Sequence, residues 1–127
     1  MRINKTIRGL LAVSAIVVSS AALAHPKLLS STPADKAEVA SPARIELQFS
    51  ERLLPEFSAA SLLMTEMPGM AMHSPMKMAF NVTAGPDGKT MLITPKQPLT
   101  TGTYRLNWRA VSADTHPVTG NITFQVK

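Results

Sequence analysis

Six of the eight methionines lie within fifteen residues, Met64 to Met78, in the run MTEMPGMAMHSPMKM, with one histidine, His73, among them. Thioether sulfur is polarisable, uncharged and carries no titrating proton. Met64, Met67, Met70, Met72, Met76 and Met78 with one imidazole therefore make a donor set for a soft ion such as Cu(I) or Ag(I), rather than zinc, magnesium or calcium. Packing is the competing reading, because methionine also fills irregular gaps in cores. Pro68, Gly69 and Pro75 interrupt any helix across the run, and Glu66, Ser74 and Lys77 keep it polar, so a loop with little core to fill is expected. Surface methionines are otherwise oxidation targets, which favours a use for them.

A second group of donors contains no sulfur. His25 follows Ala22-Leu23-Ala24, the small-residue pattern that a signal peptidase cuts. Cleavage after Ala24 would leave His25 with a free α-amine beside its imidazole, and the two nitrogens could chelate one ion. Pro26 has no backbone N–H, so chelation through a deprotonated amide cannot run through that bond. Far downstream, Asp114-Thr115-His116-Pro117 carries a carboxylate and an imidazole two residues apart, and Pro117 biases His116 towards an extended backbone that puts both on one face. Nitrogen and oxygen donors suit Cu(II). The plainer reading is that Asp114 caps a turn and His116 is solvated. Glu51 is either a further oxygen donor or a surface charge. The chain has three histidines, and these two groups use all of them.

The segments that carry these donors sit in an exported chain. Arg2, Lys5 and Arg8 precede the apolar run LLAVSAIVVSSAAL, which is shorter than the roughly 20 residues that span a bilayer and ends at the cleavage pattern. Residues 1–24 are expected to be a secretory signal, with no membrane anchor left after cleavage. Losing those three basic residues lowers the net charge from +5 to +2. The remaining charges alternate in sign with no basic stripe or aromatic platform, which argues against nucleic acid. The absence of cysteine in an exported protein excludes disulfides, a blue-copper thiolate and cysteine zinc sites.

Residues 25–127 suffice for one domain with a single modest core. Arg44 to Ser50 alternates apolar and polar residues, as do Thr103 to Ala110 and the run through Ile122, Phe124 and Val126. Shorter strand candidates are Lys27 to Ser31, Ala60 to Met64, Met78 to Thr83 and Thr90 to Thr94, with turn signals at Ser41-Pro42, Gly85-Pro86-Asp87-Gly88 and Thr101-Gly102. About seven short strands and no amphipathic helix predict an all-β antiparallel Greek-key sandwich or barrel of immunoglobulin-like or cupredoxin-like outline. Trp108, the only tryptophan, is expected in the core.

Over nearly its whole length the chain resembles the periplasmic copper-resistance family of CopC and PcoC. The resemblance rests on His25-Pro26, Phe49-Ser50-Glu51, Met64-Thr65-Glu66-Met67-Pro68-Gly69-Met70 with His73-Ser74-Pro75-Met76, and Trp108-Arg109-Ala110-Val111-Ser112 leading to Asp114-Thr115-His116-Pro117. It implies a non-catalytic, periplasmic copper carrier with a cupredoxin-like barrel. It also implies a Cu(II) site of His25, Asp114 and His116 with Glu51 as a weaker ligand, and a Cu(I) site drawn from Met64, Met67, Met70, His73 and Met76. Met72 and Met78 widen the choice of thioethers. The implied partners are an inner-membrane CopD-like permease or a multicopper oxidase.

Two other classes compete. An N-terminal histidine paired with a second histidine on a β-sandwich is also the copper brace of polysaccharide-oxidising monooxygenases, but six aromatic residues, four of them on inward strand faces, leave little for stacking on a sugar. The methionines could instead form an adaptable protein-binding surface on an adhesion or assembly module.

Overall fold

The computed structural model describes residues 25–56 and 58–127; the expected signal segment 1–24 and Phe57 lie outside the described residues. Nine strands follow in order: β1 Leu28–Thr32, β2 Glu38–Val39, β3 Ile45–Phe49, β4 Ala59–Met67, β5 Met70–Met78, β6 Phe80–Ala84, β7 Thr90–Pro95, β8 Gly102–Val111 and β9 Pro117–Val126. No helix occurs among the described residues, and none there is long and apolar enough to cross a membrane. The strands form a four-stranded sheet, β1-β3-β7-β6, and a five-stranded sheet, β2-β9-β8-β4-β5. The sheets do not close on each other, so the fold is a sandwich and not the barrel that was the alternative. One pairing departs from the antiparallel expectation: β2 runs parallel to β9.

Period-two patterning builds the core. Ile45, Leu47 and Phe49 of β3 and Met91 and Ile93 of β7 point inward from one sheet. Leu62 and Met64 of β4, Tyr104, Leu106, Trp108 and Ala110 of β8, and Ile122, Phe124 and Val126 of β9 point inward from the other. Burying each large side chain of this kind contributes about 1.5–3 kcal/mol. Trp108 lies in this core, edge-to-face with Phe49 at a centroid distance of 5.1 Å. Gly120 pairs with Trp108 across β8 and β9, and a Cβ there would stand 2.3 Å from the indole Cζ2, so only glycine lets the ring lie over that backbone. The Tyr104 hydroxyl donates to the Thr100 carbonyl at 2.7 Å and stays satisfied at full burial.

The methionine segment is not a loop. It is a hairpin, with β4 and β5 joined by Pro68-Gly69; proline sets the first turn residue and Gly69, at φ 72°, takes the left-handed second position, as in a type II turn. The strand escapes a reading by alternation because β5 is a sheet edge with a large irregularity. Met64 pairs with Met76 and Glu66 with Ala71, so two steps along β4 are matched by five along β5. The excess lies at Met72-His73-Ser74-Pro75, and an edge bulge is where a strand tolerates proline.

Candidate metal centre

The chain start is fixed before it reaches any donor. Pro26 is fully buried, and Lys27 and Ser50 bond twice: the Lys27 N–H donates to the Ser50 hydroxyl and the Ser50 N–H to the Lys27 carbonyl, each at 2.9 Å. β1 then pairs with β3, with Leu28 opposite Phe49. The segment before β1 is thereby clamped to the end of β3, and His25 is carried to the end of the sandwich where β8 turns into β9.

That turn presents the other two donors. The Thr115 N–H donates to the Ser112 carbonyl at 2.9 Å, and Thr115 adopts φ 64°, a left-handed conformation that a β-branched residue seldom takes. Asp114 Oδ1 accepts the His116 backbone N–H at 3.1 Å and the Ser112 hydroxyl at 3.2 Å. Both bonds go to one carboxylate oxygen. The other, Oδ2, is buried, receives no bond from a backbone N–H or a hydroxyl, and has His25 Nδ1 2.6 Å away.

His25, Asp114 and His116 each place one donor atom within 4.8 Å of the others. The two imidazoles meet edge-on, 5.5 Å between centroids and 61° between planes. Burial of Asp114 raises its pKa, yet the bonds from the His116 N–H and Ser112 hydroxyl, with the nearby charge of His25 and His116 when protonated, outweigh it and hold the carboxyl below its ordinary value. Asp114 is an anion at neutral pH. A buried carboxylate oxygen with an imidazole nitrogen beside it and a second imidazole close by fits a cation with mixed nitrogen and oxygen ligands, Cu(II) among them.

Glu51 does not belong to this group. It is half-buried just past β3, one residue beyond the Ser50 clamp. Ser50 and Ser112 stand in the motifs that carry the resemblance, and the structure gives them a positioning role that those motifs do not state. Ser112, two residues before the aspartate, carries a signal in that spacing, whereas the partner of Ser50, Lys27, lies 23 residues away in the chain.

The sulfur candidates divide. Met64 follows the alternation of β4 into the core, 4% exposed and opposite Tyr104, so the packing reading holds there, and Met78 is half-buried against the same core. Met67, Met70 and Met76 are 43%, 64% and 47% exposed. Met67 and Met70 pair directly across the hairpin end. His73 is exposed on the bulge, and the Met72 side chain lies outside the described residues. The hairpin thus offers solvent-facing thioethers and an imidazole, apart from the His25 group.

A family model for the CopC domain matches residues 28–127. Copper resistance protein C of Pseudomonas syringae pv. tomato is 57% identical over 127 residues, all of both chains, and copper resistance protein C of Escherichia coli 56% identical over 110 residues, 87% of each. The crystal structure of PcoC, a methionine-rich copper resistance protein from Escherichia coli, superposes with a TM-score of 0.75 at 55% identity, covering 82% of this chain and 100% of that one. CopC from Methylosinus trichosporium OB3b superposes at 0.68 with 25% identity, covering 81% and 94%. Matched over its whole described β-sandwich, the chain belongs to the CopC domain family.

Proposed function

We propose that this protein is a non-catalytic copper carrier of the periplasm that serves copper resistance through two chemically distinct sites. The observation that carries the proposal is the meeting of His25 with Asp114 and His116: donors from opposite ends of the folded chain, within 4.8 Å of one another, around a buried carboxylate oxygen that His25 Nδ1 approaches to 2.6 Å. The relatives' names, copper resistance protein C and methionine-rich copper resistance protein, support the same cargo.

The roles follow from the residues. Ser112 and the His116 N–H hold one oxygen of Asp114, which turns the other towards the imidazoles. Removal of residues 1–24 would add the α-amine of His25 as a fourth donor. That set takes Cu(II). The exposed Met67, Met70 and Met76 with His73 take Cu(I), because thioethers bind it without competing for protons. Two sites that each prefer one oxidation state suit a protein that accepts and releases its cargo by exchange with partners, such as an inner-membrane permease or a copper oxidase.

Native mass spectrometry of the exported protein tests the reading. A chain starting at His25 that holds one Cu(II) and one Cu(I) together is expected. A mature protein that takes up neither ion overturns it.

A further inference from the structure

The outer face of the five-stranded sheet carries a cationic diagonal that neither metal site uses. Leu62 and Met64 point inward, so Leu63 points outward, and the register places Lys77, Leu63, Arg105 and Thr123 side by side across β5, β4, β8 and β9. Two rungs further along β8 stands Arg109, opposite Thr119 and Ala59. From Arg105 to Arg109 is about 13 Å, and from Arg105 to Lys77 about 10 Å. The diagonal runs between the two candidate sites: Lys77 adjoins Met76 of the hairpin, and Arg109 lies two residues from Val111, which pairs with Pro117 beside His116.

This face is organised rather than merely charged. Arg105 Nε donates to Asn107 Oδ1 at 3.0 Å, and Asn107 Nδ2 donates to the Ser61 hydroxyl at 3.3 Å. The relay holds the Arg105 side chain along the sheet and leaves its terminal nitrogens without a bond among the described residues. Arg105, Asn107, Arg109, Thr119 and Asn121 line one open concavity. Among the described residues no ion pair reaches Lys77, Arg105 or Arg109, whereas Arg44 and Lys127 pair with Glu46 and Glu38. Two carboxylates border the face without an ion pair to its cations: Glu66 accepts the Thr103 hydroxyl at 3.4 Å, and Asp35 accepts the Thr123 N–H at 2.8 Å.

We infer that this face docks a protein partner through a cluster of carboxylates on the partner's surface, seated on Arg105 and Arg109 with Lys77 at the rim. Charge complementarity names the occupant. A guanidinium fork with amide neighbours suits individual carboxylates, which it can grip through two bonds. Binding to anionic lipid instead draws on clusters of about four to eight cations, and this face has three. The docking face itself stands without the copper reading. Its value for transfer rests on that reading, since a partner seated there borders both sites at once.

The test uses the metal-free protein and a hexaglutamate peptide as probe, followed by amide chemical shifts. Saturable shifts confined to this face, centred on Arg105, Asn107 and Arg109 and reaching Lys77 at the rim, are expected. Arg105→Gln with Arg109→Gln should weaken binding by about tenfold or more, while Lys89→Gln with Lys96→Gln, the same loss of charge elsewhere, should change it by less than about twofold. Arg105→Lys with Arg109→Lys keeps the charge and removes the fork, and is expected to fall between them. Equal losses in the two glutamine pairs, or shifts scattered over all the lysines, overturn the proposal. Tighter binding to phosphatidylglycerol vesicles than to the peptide, lost in the arginine variant, would overturn it in favour of a membrane surface. Cu(I) and Cu(II) titrations of the arginine variant are expected at wild-type values, so a failed docking face and a failed copper site are seen separately.

Discussion

His25 Nδ1 stands 2.6 Å from Asp114 Oδ2, and this contact joins the segment before the first strand to the turn between the last two. It exists because Ser50 clamps Lys27 on one side and Ser112 turns the carboxylate on the other. Removal of residues 1–24, as proposed, would turn the His25 backbone nitrogen into an amine that can join these donors.

Adding one residue before His25 converts that nitrogen from an amine to an amide and leaves every side chain in place. Cu(II) affinity is expected to fall by at least tenfold, about 1.4 kcal/mol per factor of ten, with Cu(I) affinity unchanged. Competitive titration and electron paramagnetic resonance of authentic and extended proteins make the comparison. Equal affinity with equal nitrogen coupling would show that the amine is not a ligand.

Acid should separate the two sites. Imidazole and amine nitrogens must be free of protons to bind a metal, whereas a thioether carries none. Lowering the pH from 7 to about 4, below the reference value for imidazole, is expected to release Cu(II) and leave most Cu(I) bound. Simultaneous loss of both ions would contradict separate donor sets.

The methionines should divide as their exposure does. Replacing Met67, Met70 and Met76 together with leucine is expected to abolish Cu(I) binding and to change stability by only a few tenths of a kcal/mol, as for other surface substitutions. Met64→Ala empties core volume and should cost about 2–5 kcal/mol, with Cu(I) binding retained in the folded fraction. Urea unfolding and Cu(I) competition read both effects. Loss of Cu(I) binding on Met64→Leu, which keeps the volume, would return that sulfur to the ligand set.

Asp87 tests the turn before β7. The Lys89 N–H at 2.9 Å is the chief cause that holds its carboxyl below the ordinary value of 3.8, with burial opposing and the Thr90 hydroxyl at 3.3 Å assisting. A depressed folded-state pKa contributes stability that is present above the unfolded value and lost as pH falls through the lower folded one. Asp87→Asn should therefore lower the urea midpoint at pH 7, and the gap should narrow as the pH falls below the ordinary carboxyl value of 3.8 and through the lower folded one. A gap of constant size across that range would remove the ionic origin.

All seven strands expected from alternation and turn residues are present, because a half-buried strand writes its two faces directly into its sequence. The donor inventory was equally legible: methionine and histidine next to proline and glycine, with no cysteine, limit the metal chemistry whatever the fold. Tertiary structure decided the rest. Strands β2 and β5 escaped notice because one is two residues long and the other is an edge strand with a bulge, where neither alternation nor the rule against proline applies. Met64 and Met70 are chemically identical in the sequence, and only the register of β4 sends one into the core while the hairpin end leaves the other in solvent. The pairing of His25 with Asp114 depends on Ser50 and Ser112, whose bonds span contacts that no local pattern encodes. Residue type sets what a site can bind; which side chains reach it is settled by long-range packing and hydrogen bonding.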